Sequence, residues 1–158
     1  MSIRFAERKD APRISALLRQ VLEVHAAIRP ELFLHGTQKY SEAEVMALIE
    51  NPDCLIFVET DGTDTARGYC ICYPKKIEHG QFARVGRKEL YIDDLCVDET
   101  ERRTGVARRL FAFVQAYAKD NGYAWVTLNV WEGNDNALAF YRAMGMCPRS
   151  TTLELPIG

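Results

Sequence analysis

The segment Arg102-Arg103-Thr104-Gly105-Val106-Ala107 has the residue types of an anion-binding turn. It follows a strand-like run at residues 89–97 and precedes an amphipathic helical pattern. Backbone N–H groups in the first turn of a helix have no intrahelical partners, and the helix dipole adds partial positive charge there. Gly105 lets the backbone approach a ligand closely. Four cationic side chains surround the turn: Arg102, Arg103, Arg108 and Arg109. We call residues 102–108 the anion cradle. Their pattern predicts a phosphate or pyrophosphate ligand.

Two common nucleotide-binding patterns do not fit this turn. A P-loop requires a Gly-Lys-Ser/Thr ending, which is missing here. A dinucleotide-binding fingerprint requires Gly-x-Gly-x-x-Gly near the first strand, whereas Gly105 is the only glycine of the turn and lies far along the chain. The pattern that fits is Arg/Gln-x-x-Gly-x-Gly/Ala, through Arg102, Gly105 and Ala107.

A second segment follows a predicted buried strand at residues 124–131. It places Asn134, Ala137, the pair Phe140-Tyr141 and Gly145-Met146 in a fixed order. Together the two segments resemble the GNAT superfamily of acyl-CoA-dependent N-acetyltransferases, whose pattern is Asn-x-x-Ala…Phe-Tyr…Gly-Phe. Met146 stands where phenylalanine is commoner. The close match covers about residues 88–147.

The resemblance implies a set of residues that bind acetyl-CoA. Backbone groups of residues 95–97 would pair with pantetheine, the cradle would hold the pyrophosphate, and Tyr141 would donate a proton to the departing CoA sulfur. A phenol, with an ordinary pKa of about 10, suits that last task. The implied set is Leu95, Cys96, Val97, Arg102, Arg103, Thr104, Gly105, Val106, Ala107, Arg108, Asn134, Ala137, Phe140 and Tyr141.

Asp93 and Asp94, the acidic pair, are the candidate bases on the fourth strand. In a regular strand they would alternate faces, with Asp93 on the side of Glu89, Tyr91 and Leu95. Polyamine-type relatives carry an acidic pair at the matching positions, so by resemblance Asp93 is the first candidate to accept the amine proton and Asp94 the second. The alternative is a structural salt bridge to Arg84, Arg87 or Lys88.

The acceptor pocket is predicted at the end of the first helix and the loop that follows it. Residues 25–40 hold a dense set of polar and aromatic side chains. The candidates for substrate binding are His25, Arg29, Phe33 and Tyr40. For each of them taken alone, the alternative is an ordinary surface or capping role.

Composition bounds the remaining possibilities. A chain of 158 residues with 47% hydrophobic and 27% charged residues suggests one soluble domain over residues 1–158. The chain has neither a signal-peptide pattern nor an apolar run of about 20 residues, so we expect a cytoplasmic protein and no membrane partner. The five cysteines lack CxxC spacing, which predicts reduced thiols and no metal site. A net charge of −2 disfavours a nucleic-acid partner and suits a cationic amine.

Hydrophobic periodicity predicts the element order β-α-α-β-β-β-α-β-α-β. This order matches the GNAT fold, an α/β (α+β) architecture with a mixed, mostly antiparallel sheet and helices on both faces. The resemblance implies that the fourth and fifth strands splay apart after a bulge. A last strand is predicted near residues 150–155, and its Thr151, Thr152 and Leu153 offer a homodimer interface.

The function implied by the resemblance is acetyl-CoA-dependent N-acetylation by direct transfer in a ternary complex. The expected acceptor is the primary amine of a small molecule that is polyamine-, amino-acid- or aminoglycoside-like. One alternative is acetylation of a protein N-terminus or lysine. Another is a non-catalytic acyl-CoA-binding sensor, which would keep the cradle and have no use for Tyr141.

Overall fold

The computed structural model describes residues 2–158. Its single sheet has five strands in the spatial order β1-β2-β3-β4-β5. The strands are β1 (Ser2–Phe5), β2 (Leu55–Thr60), β3 (Ala66–Ile77), β4 (Arg87–Val97) and β5 (Trp125–Leu128). The helices are α1 (Ala11–Ile28), α2 (Glu42–Glu50), α3 (Val106–Asp120) and α4 (Asp135–Ala143). The first four strands pair antiparallel, and β5 runs parallel to β4, so the predicted mixed sheet is confirmed.

The sheet buries a separate apolar cluster on each face. One cluster packs Ile14 and Leu18 of α1 and Val45 of α2 against Tyr69 and Ile71 of β3. The other cluster lies on the opposite face and joins α3, through residues such as Leu110 and Val114, to the sheet and to α4. Its sheet members include Phe57, Cys70, Leu90 and Ile92. Helices therefore cover both faces, as the GNAT fold requires.

Local sequence signals explain where the helices begin and end. At the start of α2, the Ser41 hydroxyl accepts from the Glu44 N–H and the Glu44 carboxylate accepts from the Ser41 N–H, both at 3.2 Å. This is the capping box that the sequence predicts. α1 ends at Ile28, just before Arg29-Pro30, since the residue before proline avoids helical geometry. Asn134 caps α4 by accepting from the Ala137 N–H at 3.3 Å.

A bulge in β4 divides the sheet. Ile71 lies opposite Asp94 and Cys72 lies opposite Ile92, so Asp93 is an extra residue with no partner on β3. β5 pairs only with Glu89–Ile92, the part of β4 before the bulge. Residues 93–97 thus have no β5 neighbour. The splay between the fourth and fifth strands is confirmed.

The predicted sixth strand near residues 150–155 is wrong. Residues 146–158 form no regular element, and Leu153, Leu155 and Ile157 are exposed. An alternating pattern reports only the propensity of a segment, whereas a strand also requires a backbone edge alongside it. Ion pairs tether this tail instead: Arg29 with Glu154, and Arg149 with Glu89.

The fifth strand is shorter than the predicted range 124–131. It ends at Leu128, and the Asn129 side chain donates to the Tyr91 hydroxyl at 3.1 Å as the chain leaves the sheet. No helix within residues 2–158 is both long enough and apolar enough to cross a bilayer.

Candidate active site

The anion cradle borders a surface cleft of about 340 Å³. Val97 at the end of β4 lies on one side and Phe140 of α4 lies on another. Residues at the cleft are Val97, Glu101, Arg102, Arg103, Gly105, Val106, Ala107, Arg108 and Phe140. The structure therefore brings together the first predicted segment and part of the second, although a whole helix and strand separate them in sequence.

Gly105 is required by the backbone of the cradle. It caps α3 with φ +87°, in the left-handed region that disfavours residues with a Cβ atom. A Cβ at this position would lie 2.8 Å from Nη1 of Arg109. The turn just before it is held to α1, because Asp98 accepts from the Thr100 N–H at 3.0 Å and forms an ion pair with Arg13. This anchoring presents the free N–H groups of α3 to the cleft.

The arginines around the cradle do not act alike. Arg109 forms two hydrogen bonds to the Glu59 carboxylate, at 3.0 and 2.6 Å, and donates to the Thr104 carbonyl at 3.0 Å. Glu59 is only 1% exposed, so Arg109 neutralises a buried carboxylate and supports the turn. Arg109, one of the four cations that the sequence places around the turn, is thus engaged by the protein itself. Arg102, Arg103 and Arg108 are exposed and make no salt bridge within residues 2–158.

Both members of the acidic pair lie on the face covered by α1 and α2. The predicted alternation of faces is wrong, because the bulge adds Asp93 without a partner and Asp94 takes the next inward position. The prediction that Leu95 shares the side of Asp93 is wrong for the same reason, since Leu95 packs in the opposite cluster with Ile92. A single extra residue places two carboxylates side by side where β4 and β5 part.

The partners of the acidic pair come from the loop before α2 and from β3. Nζ of Lys39 lies 2.9 Å from Oδ2 of Asp93, and the Tyr40 hydroxyl donates to the same oxygen at 3.2 Å. The Tyr69 hydroxyl donates to Oδ2 of Asp94 at 3.0 Å. The partner is thus Lys39, and the alternative of a bridge to Arg84, Arg87 or Lys88 is wrong. Arg87 pairs with Glu89, and Lys88 donates to the Asn121 carbonyl at 3.0 Å.

Burial raises the pKa of Asp94 to about 6. The neighbouring Asp93 charge also raises this pKa, while Lys39 and the Tyr69 hydrogen bond lower it. At neutral pH, Asp94 is therefore a carboxylate that accepts a proton more readily than an ordinary aspartate does. The pKa of His25 is lowered, chiefly by burial and also by the Lys39 charge, which favours its neutral form.

Tyr141 lies on α4 with its ring centroid 5.1 Å from that of Phe140 and 6.1 Å from that of Phe111. Burial raises its pKa, and the nearby Cys70 and Asp94 raise it further. The phenol is therefore protonated across the physiological range. Its hydroxyl has no hydrogen-bond partner within residues 2–158, so the donor proton is available to a ligand.

Cys96 does not have the environment of a nucleophile. It is 5% exposed, and its thiol donates to the Leu17 carbonyl of α1 at 3.5 Å. Burial raises its pKa to about 12, so the reactive thiolate is scarce at neutral pH. The candidate contact of Cys96 with a ligand is therefore its backbone, which has no β5 partner.

The four predicted acceptor residues separate into three groups. Tyr40 contacts Asp93 directly. His25 and Phe33 join an aromatic cluster, with ring centroids 5.3 Å apart, that continues to Trp131 at 5.2 Å from Phe33. Arg29 forms ion pairs with Glu31 and Glu154, each at 2.5 Å, so its guanidinium is engaged away from the acidic pair.

Sequence reasoning missed four residues of this region: Lys39, Tyr69, Tyr73 and Trp131. Tyr69, Ile71 and Tyr73 lie two positions apart on β3, so the sequence places them on one face of the strand. It does not show which residues pack against that face. The Tyr73 hydroxyl lies 3.5 Å from that of Tyr40. Lys39 stands in a loop, where no periodicity indicates the direction of a side chain.

The sheet is mixed and opens beyond a bulge, and a glycine turn beside the opening leads into a helix. These features define the acyltransferase class seen in GNAT proteins. The chain matches the acetyltransferase (GNAT) family over residues 18–146 and belongs to that family. It is 30% identical over 146 residues to the uncharacterized N-acetyltransferase YhfO of Bacillus subtilis (strain 168), covering 92% of this chain and 89% of that protein. The protein is therefore an acetyltransferase, and its family generally uses acetyl-CoA.

Solved structures share the fold over nearly the whole chain. A mutant of the BH1408 protein from Bacillus halodurans superposes with a TM-score of 0.93 at 30% identity, covering 99% of both chains. The aminoglycoside acetyltransferase meta-AAC0020, from an uncultured soil metagenomic sample and solved with sisomicin, gives a TM-score of 0.71 at 18% identity. That match covers 99% of this chain and 95% of that one, and it shows a common fold.

Proposed function

We propose that this protein transfers the acetyl group of acetyl-CoA directly to the primary amine of a small molecule. The observation that carries the proposal is the acidic pair, held side by side at the point where β4 and β5 separate. Asp93 binds the acceptor as its ammonium form. Asp94 then takes the proton that must leave before the nitrogen can attack, directly or through water.

The chain offers a continuous site for the cosubstrate. Backbone N–H groups of residues 104–108 receive the pyrophosphate, because they open α3 and face the cleft beside Phe140. Beyond the bulge, the edge of β4 at residues 95–97 has no β5 partner, so its amides are open to the amides of pantetheine. These residues fit acetyl-CoA and would hold its thioester beside the acidic pair.

The thioester supplies an electrophilic acyl carbon and a thiol leaving group. Asp94 takes one proton from the ammonium and later releases it to solvent, and the neutral nitrogen forms the new C–N bond. As the C–S bond breaks, Tyr141 donates its proton to the departing sulfur, and the second proton lost by the nitrogen restores the phenol through solvent. Holding the thioester and the amine next to each other would remove much of the entropic barrier to a two-substrate reaction.

The cover over the acidic pair favours a small acceptor over a polypeptide. Lys39 and Tyr40 lie directly against Asp93 from the α1–α2 side, and only 14% of the Asp93 side chain is exposed. Phe33 and Trp131 form an aromatic contact between the loop after α1 and the segment after β5. Together they leave a confined approach, which suits a single amine better than an extended backbone.

The test is acetyl-CoA-dependent thiol release by the purified protein with polyamines, amino acids, aminoglycosides and short peptides. We expect turnover with small amines, and a Tyr141→Phe variant that loses about 100-fold in kcat while binding of CoA changes little. Tyr123→Phe, at a tyrosine that does not line the cleft, is the matched control. Turnover of peptides alone would contradict the small-molecule acceptor. CoA binding without any turnover would indicate a sensor.

A further inference from the structure

We propose that the acceptor carries a carboxylate beside its amine, as an amino acid does, and that Lys39 selects it. This inference rests on the proposed function and narrows its substrate class. The structural basis is the ion pair between Lys39 and Asp93, with Nζ and Oδ2 separated by 2.9 Å. Asp93 is already paired with Lys39, so the site presents both positive and negative side chains to a ligand.

Among residues 2–158, Lys39 is the cation that pairs with a member of the acidic pair. Arg29 is engaged by two carboxylates, at 2.5 Å each. His25 is favoured in its neutral form, because burial and the Lys39 charge lower its pKa. The side chain of Lys39 is 43% exposed, whereas that of Asp93 is 14% exposed, so the ammonium lies on the solvent side of the pair. It can therefore move without uncovering the core.

An acceptor ammonium that binds Asp93 must take the place of Lys39. For a simple amine or a polyamine, this exchange breaks the Lys39–Asp93 ion pair and gives Lys39 no new partner, which lowers affinity. For an amino acid, the ammonium faces Asp93 while the adjacent carboxylate faces the displaced Lys39. One internal ion pair becomes two intermolecular pairs with alternating charges, and both Lys39 and Asp93 keep an oppositely charged partner.

The experiment compares matched acceptors that differ only in the carboxylate: phenylalanine, phenylalaninamide and phenethylamine, with leucine, leucinamide and isoamylamine as a second series. We expect kcat/KM for the amino acid to exceed that for both analogues by about tenfold or more, the worth of one well-placed charge pair. Lys39→Met should abolish this preference, Lys39→Arg should retain it, and Lys119→Met, at an exposed lysine of α3, should leave it unchanged.

The outcomes separate the two proposals. Turnover of the carboxylate-free amines at equal or greater kcat/KM by the unmodified protein overturns this inference and leaves the proposed function standing. That comparison is made on the unmodified chain, so it does not depend on the folding of a variant. Failure of every amine class, with acetyl-CoA still bound, overturns both. An amino-acid preference that survives Lys39→Met assigns the selection to another residue and overturns the role of Lys39.

Discussion

Tyr69 lies opposite Cys96 in the pairing of β3 with β4, yet its hydroxyl donates to Asp94 at 3.0 Å. The ring is fully buried in the cluster under α1 and reaches along the sheet to the carboxylate. This bond fixes the orientation of Asp94 and favours its ionised form, opposing the larger effect of burial on the Asp94 pKa. Tyr69 is therefore a positioning residue for the proposed base.

The Tyr69→Phe substitution should move the acid limb of the pH profile. Asp94 must be ionised to accept a proton, so kcat/KM should fall as the pH drops through about 6, its pKa in the folded protein. The Tyr69 bond lowers that pKa, so its removal should shift the midpoint to higher pH. The measurement is kcat/KM from about pH 5 to 9, with Tyr123→Phe as the control. An unchanged midpoint would assign the base to another group.

Asp94→Asn should stabilise the protein while it lowers the rate. Folding raises the Asp94 pKa from its ordinary 3.8 to about 6, so ionisation costs stability as the pH rises between these values. The cost is fully present above about pH 6 and disappears below 3.8. Removing it should raise the free energy of unfolding near pH 7.5 by about 1–3 kcal/mol.

Denaturant unfolding of Asp94→Asn and the parent, near pH 7.5 and near pH 4, measures this gain. The gain should be large at the higher pH and small at the lower one, since the parent carboxylate is then mostly protonated. A variant no more stable than the parent at either pH would mean that the carboxylate is well solvated in the folded protein. Such a result would contradict the burial on which its assignment as a base depends.

Gly105→Ala should weaken acetyl-CoA binding more than it slows turnover at saturation. The added Cβ would occupy a φ of +87° and lie 2.8 Å from Arg109, so the cradle must distort. We expect a several-fold rise in KM for acetyl-CoA and a loss of about 1 kcal/mol in stability. Gly62→Ala is the control, because nothing lies within 4 Å of its Cβ and its φ is ordinary. An unchanged KM would exclude this turn as the pyrophosphate site.

Glu59→Gln should also raise the KM for acetyl-CoA, because Glu59 holds Arg109 against the cradle. The substitution removes the charge that holds Arg109, whose Nη1 donates to the Thr104 carbonyl at 3.0 Å. A destabilisation of about 1–3 kcal/mol should accompany a higher KM for acetyl-CoA. Isothermal titration calorimetry measures the affinity for CoA, and thermal unfolding measures the loss of stability. A loss of stability with unchanged CoA affinity would limit Glu59 to a structural role.

The sequence predicts the elements that local chemistry determines. Ser41 and Glu44 begin α2 through bonds between near neighbours, and Gly105 begins α3 because few other residues adopt its φ. The cradle follows from a motif short enough to read directly. These features depend on a few adjacent residues, so one chain carries enough information to place them. The splay of the sheet is different, because the sequence indicates it only through the resemblance to the GNAT family.

The rest depends on contacts between distant segments. The faces of Asp93 and Asp94 are set by one unpaired residue in a ladder whose other strand lies in a separate part of the sequence. Lys39 meets Asp93 across 54 positions, and no pattern in a loop predicts such a meeting. The prediction of a last strand near residues 150–155 is wrong because an alternating pattern does not show whether a neighbouring strand is there to pair with it.

The bulge at Asp93 changes the positions of the two carboxylates without changing which β4 side chains pack in the core. Leu90 and Ile92 before it, and Leu95 and Val97 after it, all pack in the cluster under α3. A chain lacking Asp93 alone would keep each of these side chains on its present face, because β4 would regain strict alternation. Such a chain would keep its core and lose the extra residue at the point where β4 leaves β5. The position of the two candidate carboxylates thus depends on one residue inserted into β4, whereas the packing under α3 does not.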